Sequence, residues 1–174
     1  MSDLRPATLA DTTALTTLKR DTFRETFLDE GFAIPYPPAD LAIFERSAYA
    51  PEVVAAELAD PEKATWVAEH DGRLLGYAHV GPSKLPHPDV RPSDGELYQL
   101  YLRRDAQGLR LGAGLLSLAL AHLAAHRPGP VWLGVWSGNL KAQAFYAARG
   151  FANVGGYRFP VGAWFDDEYI LRRD

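Results

Sequence analysis

Cysteine is absent from this 174-residue chain, which excludes a disulfide framework, a thiolate metal site and a cysteine nucleophile. The absence also agrees with a reducing compartment. Long hydrophobic runs are missing as well, so no stretch of sequence is long enough to span a bilayer as a helix. The first ten residues carry Asp3 and Arg5 and lack the apolar centre of a secretory leader. These absences predict a soluble, cytoplasmic protein with no membrane partner. No dense lysine and arginine stripe occurs, which argues against nucleic-acid binding. Repeats, low-complexity tracts and linker-like segments are also lacking. The length therefore predicts a single domain, residues 1–174, large enough to bury its own core.

What is present is unevenly placed. The formal net charge is −4, yet residues 1–95 hold nine basic and sixteen acidic side chains, while residues 96–174 hold nine basic and six acidic. The asymmetry suits an anionic ligand on the C-terminal half and a cationic one near the N-terminal half. On charge alone, chance and solubility explain it equally well.

Leu4–Ala7 reads as a first strand, and Asp11 as the cap of a helix carrying Ala14, Leu15, Leu18, Phe23 and Phe27 at helical spacing. After a proline-rich break come two short helices, Ala39–Tyr49 and Glu52–Ala59. Trp66–His70 and Arg73–Gly81 read as strands joined at Asp71-Gly72, a strong hairpin signal. A long polar loop with four prolines, Pro82–Gly95, leads to a strand at Glu96–Leu102. A glycine-bearing loop, Gln107–Gly114, then opens a helix running to about His126. Val131–Trp136 is a strand, Asn139–Arg149 a helix that Gly150 can end, and Phe159–Arg172 holds the closing strands. Strands alternating with helices predict an α/β fold with a mixed sheet of six or seven strands.

The glycine loop is the most informative segment. A strand passing through glycines into a helix N-terminus presents free backbone N–H groups and the positive end of the helix dipole. Gly108, Gly112 and Gly114 lack side chains that would keep a diphosphate from the backbone, and Arg110 adds a cation. The loop is no Walker sequence, since no Gly-Lys-Ser/Thr follows, and it is a poor dinucleotide fingerprint. Alone it fits a packing device equally well.

Three ordered segments together carry a resemblance. Gln107-Gly-Leu-Arg-Leu-Gly112 is similar to the acetyl-CoA motif of the GCN5-related N-acetyltransferase (GNAT) superfamily, with Arg110 where an inner glycine is usual. Downstream, Asn139 to Tyr146 and Arg149-Gly150-Phe151 resemble its second signature, and Trp66–Ala78 its central hairpin. Phe23–Phe27 and Tyr36–Asp40 resemble the PaiA-like bacterial branch. The resemblance implies a GNAT fold whose central strands splay apart, so that the acyl arm of acetyl-CoA pairs along the backbone of Leu100, Tyr101 and Leu102. It implies diphosphate binding by Gln107, Gly108, Leu109, Arg110, Leu111, Gly112, Ala113 and Gly114, and further cofactor contacts from Asn139, Phe145 and Tyr146. No metal is implied.

Amine acetylation needs a base for the ammonium, polarisation of the thioester carbonyl and a proton for the leaving thiolate. The resemblance makes Glu96, eleven residues before Gln107, the base, and Tyr146 the acid. An exposed strand-end charge and a helix-packed tyrosine are the plainer readings. The acceptor implied is a primary amine, a small amine or polyamine first. Asp29, Glu30, Asp40 and Glu45 are candidates for a cation-attracting entrance or for mere solvation of helices. A protein N-terminus or lysine as acceptor, and a non-catalytic acyl-CoA-binding module, are the alternatives. His122 and His126, at i and i+4, are better read as a helix end than as metal ligands. The apolar Phe159–Phe165 stretch is a candidate homodimer surface.

Overall fold

The computed structural model describes residues 3–28 and 31–174. The chain opens on strand β1 (Asp3–Pro6), a single 3-10 turn (Leu9–Asp11) and helix α1 (Thr12–Phe27). Asp11 does not cap α1 with its side chain. Its carboxylate turns back to accept the Thr8 N–H (2.7 Å) and to pair with Arg5 (2.7 Å), closing the turn ahead of the helix. Arg5 also reaches Glu69 (2.8 Å) and so ties the first strand to its neighbour. Helix α1 buries Leu15, Leu18, Lys19, Thr22, Phe23 and Phe27, a stripe at three- and four-residue spacing.

Helices α2 (Pro38–Tyr49) and α3 (Pro51–Ala59) each begin on a proline, whose missing N–H costs nothing there. Strands β2 (Ala64–His70) and β3 (Arg73–Pro82) are joined by Asp71 and Gly72. Both turn residues have positive φ (48° and 75°), as a primed two-residue turn requires. Strand β4 (Gly95–Leu102), α4 (Leu111–His126), β5 (Val131–Trp136), α5 (Leu140–Ala147), β6 (Ala152–Val161) and β7 (Trp164–Arg173) complete the chain.

The seven strands form one sheet in the order β1-β2-β3-β4-β5-β7-β6. Neighbours are antiparallel except β4 and β5. Helix α4 covers one face, where Leu111, Leu115, Leu116, Ala119 and Leu123 pack against Trp66, Ala68, Leu75 and Ala78. Helices α1 and α3 cover the other, where Leu15, Leu18 and Val54 meet Val67, Leu74 and Tyr77. Each such leucine taken out of water contributes about 1.5–3 kcal/mol. A third cluster, Phe23, Phe27, Tyr36, Phe44 and Tyr49, joins the ends of α1 and α2 to Val161.

Two irregularities position the site. The parallel pair β4–β5 is in register only at Gly95↔Val131 and Glu96↔Trp132, so the strands part beyond those residues. Strand β4 also carries a bulge against β3: His79 pairs with Gln99 but Val80 pairs with Leu97. The extra residue, Tyr98, reverses the alternation. Leu97 and Leu100 both lie on the α4 side, leaving Glu96, Gln99 and Tyr101 to border a chamber on the opposite face.

Candidate active site

The opened sheet lies between two concavities. The first is a cleft of about 680 Å³ between the ends of β4, α4 and α5. Among the expected cofactor residues, Leu100, Tyr101, Leu102, Gln107, Gly108, Arg110, Gly112, Ala113, Asn139, Phe145 and Tyr146 line it. Leu109, Leu111 and Gly114 do not. Leu109 points to solvent (60% exposed) and Leu111 into the core (8%). A Cβ on Gly114 would come 2.5 Å from Leu4, so that glycine admits the side chain of β1 rather than a ligand. The helix starts at Leu111, so the loop proper ends at Arg110 and the last two of the three expected glycines fall in the helix's first turn.

Helix α4 begins with a backbone bond from Gly114 to Arg110 (3.2 Å). The amides of Leu111, Gly112 and Ala113 precede it and have no α-helical acceptor. Arg110 occupies the left-handed region (φ 61°, ψ 8°), where a non-glycine residue is strained. The backbone thus takes the turn that glycine would take, and keeps a guanidinium beside it. Arg104, Lys141 and Arg149 add positive charge to the cleft, against Glu25. Asn139 caps α5 by accepting the Ala142 N–H (3.0 Å). Tyr146 is buried against Phe145 and Phe151. Burial pushes its phenol well above the ordinary range, which keeps it protonated. Its hydroxyl has no hydrogen-bond partner among the described residues.

The second concavity, about 440 Å³, lies across Tyr101, which borders both. Its walls combine aromatic rings, Phe23, Phe27, Phe44, Tyr49 and Phe159 among them, with the carboxylates Glu57, Glu96, Asp166 and Glu168, which outnumber the lysines Lys63 and Lys84. Glu96 is buried (5% exposed) and not at a solvated strand end. It accepts the Lys84 N–H (2.8 Å) and the Ser83 hydroxyl (3.3 Å). Burial raises its pKa, and the bond from the Lys84 amide opposes this. Glu168 accepts the Tyr157 hydroxyl (2.6 Å). Burial first, then repulsion from Asp166 and Glu96, pushes it up to about 7, against the Tyr157 bond. Glu57 is paired with the buried Lys19 (2.5 Å). His79 shares a hydrogen bond with Thr65 (2.8 Å), and burial with the nearby Lys19 charge holds it neutral. Gln99 offers a buried Oε1 with no partner among the described residues.

The acidic side chains expected at the entrance are placed differently. Asp40 accepts the Ala163 N–H (2.8 Å) and Glu45 pairs with Arg24 (2.6 Å), and neither lines the chamber. Asp29 and Glu30 lie outside the described residues. His122 and His126 stack on each other (4.1 Å) at the end of α4. Among the described residues no three His, Cys, Asp or Glu side chains are grouped to hold a metal, and no helix is long and apolar enough to cross a membrane. Phe159 is partly buried in the third core cluster, while Phe165 is exposed beneath the Arg158 guanidinium (4.4 Å). Glu57, Asp166 and Glu168 were not singled out in the sequence, whereas His79 was read there as a strand histidine more suited to a structural role than to touching substrate. Only the alternation Asp166-x-Glu168 within a strand hinted that two carboxylates share one face.

A sheet parted beside a helix N-terminus, with a cationic cleft on one side and an acidic chamber on the other, is the architecture of an acyl-CoA-dependent acyltransferase. Residues 15–151 match the Acetyltransferase (GNAT) family model, and the chain belongs to that family. An uncharacterized N-acetyltransferase of Mycobacterium tuberculosis is 36% identical over 147 residues, covering 82% of this chain and 90% of that one. Another, from Lactobacillus delbrueckii subsp. lactis, is 29% identical over 150 residues, 86% of each. The fold is similar to that of the PaiA N-acetyltransferase of Thermoplasma acidophilum solved in complex with coenzyme A: TM-score 0.77, 18% identity, 100% of this chain and 99% of that one covered. The protein is an acetyl-CoA-dependent acetyltransferase with the GNAT fold.

Proposed function

We propose that this enzyme transfers the acetyl group of acetyl-CoA to a primary amine by direct attack, with a small aliphatic amine or polyamine as acceptor. The observation that carries the reading is the gap between β4 and β5, which joins a cationic cleft to an acidic one across Tyr101. Acetyl-CoA lies in the first, its diphosphate on the amides at the start of α4 and the Arg110 side chain. Its acyl arm pairs along the bared edge of β4 at Leu100–Leu102, where a backbone N–H polarises the thioester carbonyl.

The amine enters the second chamber as an ammonium. Carboxylates attract it and aromatic faces favour a cation. A chamber carboxylate takes one proton; both Glu96 and Glu168 border the space. The nitrogen lone pair attacks the carbonyl carbon and the C–N bond forms. The C–S bond then breaks, its electron pair going to sulfur, and Tyr146 gives sulfur a proton. The second proton lost by nitrogen replaces the one Tyr146 donated, so the reaction releases one proton overall.

The test is thiol release from acetyl-CoA with 1,3-diaminopropane, spermidine, an alanyl dipeptide and a lysine peptide as acceptors. Turnover with the diamine or spermidine supports the reading. Turnover with the peptides alone moves the acceptor to a protein amine. Coenzyme A binding without thiol release from any of them, seen as stabilisation of about 2.7 kcal/mol at 100 times Kd, leaves only a cofactor-binding module.

A further inference from the structure

We propose that Glu168 on β7, rather than Glu96 on β4, receives the proton from the acceptor ammonium, and that Glu96 is a positioning residue for the loop that closes the chamber. The inference rests on the acetyl-transfer reading above.

Place comes first. Glu168 is in register with Trp136 of β5, four residues past the last contact between β4 and β5. It therefore borders the part of the sheet that has opened. Between it and that opening stands Gly134. A Cβ there would meet Glu168 Oε2 and the Tyr157 hydroxyl at 2.7 Å each. The carboxylate thus lies directly over bare β5 backbone, in space that any side chain at 134 would take.

Free capacity comes second. A carboxylate has about four acceptor sites. Glu168 makes one protein hydrogen bond, from Tyr157. Asp166, two residues away on the same strand, is held by the Tyr36 hydroxyl and the Trp164 N–H. Glu57 is neutralised by Lys19. Glu96 accepts the Lys84 amide and the Ser83 hydroxyl on Oε2, and these bonds fix the first residues of the proline loop following β3. Among the described residues four carboxylates line the chamber, and of these Glu168 alone combines one hydrogen-bond partner with a place at the opening.

Basicity comes third. The groups facing Glu168 are Tyr157 on β6, Asp166 on its own strand, Glu96 and Tyr101 on β4, and Tyr36 ahead of α2. None is a cation, and the chamber's lysines, Lys63 and Lys84, are not among the groups that shift it, so the Tyr157 hydrogen bond is what favours its charged form. A carboxylate pushed up to about 7 is matched to its task at neutral pH, because roughly half of it is ionised there and it holds an accepted proton well. In the step itself the ammonium N–H bond breaks, its electron pair stays on nitrogen, and the proton moves to a Glu168 carboxylate oxygen and then to solvent.

The experiment is a kcat–pH profile from about pH 5.5 to 9 for the unaltered enzyme and for Glu168→Gln, Glu168→Asp and Glu96→Gln. The acceptor is spermidine, or whichever amine of the panel above turns over fastest. The expected results are an acid limb near neutral pH in the unaltered enzyme and its loss in Glu168→Gln, with kcat down about 10²- to 10⁴-fold. Glu168→Asp should keep the limb at a reduced rate, and Glu96→Gln should keep it whatever its rate. Coenzyme A should stabilise each variant as it does the parent; if Glu168→Gln fails that check, Glu168→Asp decides. The proposal is overturned if Glu168→Gln retains the limb with kcat within about threefold, or if Glu96→Gln alone removes it. No thiol release by the unaltered enzyme with any amine would instead sink the acetyl-transfer reading, and this inference with it.

Discussion

Two residues on the cofactor side show how single side chains are put to work against their own preferences. Arg110 sits at positive φ where glycine would be free of strain. The chain tolerates that cost and keeps a cation within the cleft. Arg110→Ala should raise the KM for acetyl-CoA roughly 10-fold, since a hydrogen bond to a charged group is worth about 1.5 kcal/mol. Arg110→Gly should show the same loss of affinity yet melt higher than Arg110→Ala, because glycine removes about 1 kcal/mol of backbone strain. Equal stability of the two variants would show that the left-handed turn carries no cost. Tyr146 is the complementary case: a phenol buried until it stays protonated, with its hydroxyl left for the cleft. Tyr146→Phe should lower kcat about 10²-fold or more, with little change in the KM for acetyl-CoA, measured as thiol release under saturating amine. Full turnover would return Tyr146 to plain packing against Phe145 and Phe151.

The elements contribute geometry that no side chain supplies alone, and β5 is the clearest instance. Over Val131–Trp136 it leaves β4 after two pairs but remains in register with β7 along its whole length. Gly134, midway, keeps the strand bare where Glu168 and Tyr157 converge. Gly134→Ala should leave the sheet and the cofactor cleft unchanged while pushing the Glu168 carboxylate aside. The expected result is a fall in kcat of roughly 10²-fold, the scale of an ångström's misplacement, with the KM for acetyl-CoA unaltered. Normal kcat would mean that the carboxylate at 168 is not needed where it stands. The same element shows what was legible beforehand. The hairpin at Asp71-Gly72, the Asn139 cap, the helix stop at Gly150 and the leucines of α4 were readable because each rests on local backbone chemistry or on one face's periodicity. The bulge at Tyr98 and the packing of Gly114 on Leu4 were not, because each is fixed by a neighbour distant in sequence. The acidic chamber was hidden for the same reason. Its carboxylates come from α3, β4 and β7, whereas Asp40 and Glu45, acidic and near in sequence to the expected entrance, are spent on Ala163 and Arg24.

At the scale of the whole molecule, the charges are separated by the fold and not by the imbalance along the chain: Arg104, Arg110, Lys141 and Arg149 line one concavity, while Glu96, Asp166 and Glu168, from the same half of the sequence, line the other beside Glu57, Lys63 and Lys84. Keeping those carboxylates close together costs folding free energy, and Glu168 makes the cost measurable. Its folded pKa, about 7, lies above its ordinary value of 4.5. Between those values the folded chain binds more protons than the unfolded one, so this group's contribution to stability is full below about pH 4.5 and is lost as pH rises through 7. Glutamine does not titrate. The stability of Glu168→Gln relative to the unaltered protein should therefore climb as pH rises from 4.5 to 7 and level off above, read from paired urea denaturations at each pH. His79 titrates with the opposite sign: held neutral when folded, it costs stability as pH falls below its unfolded value of 6.5. That slope is common to both proteins and cancels in the difference. A flat difference across the window would mean that the carboxylate ionises no less readily in the folded chamber than in water, and Glu168 would then not be tuned to accept a proton at neutral pH. A rising one would tie a loss of stability to the residue assigned the proton, as expected where a fold retains an uncomfortable group for its chemistry.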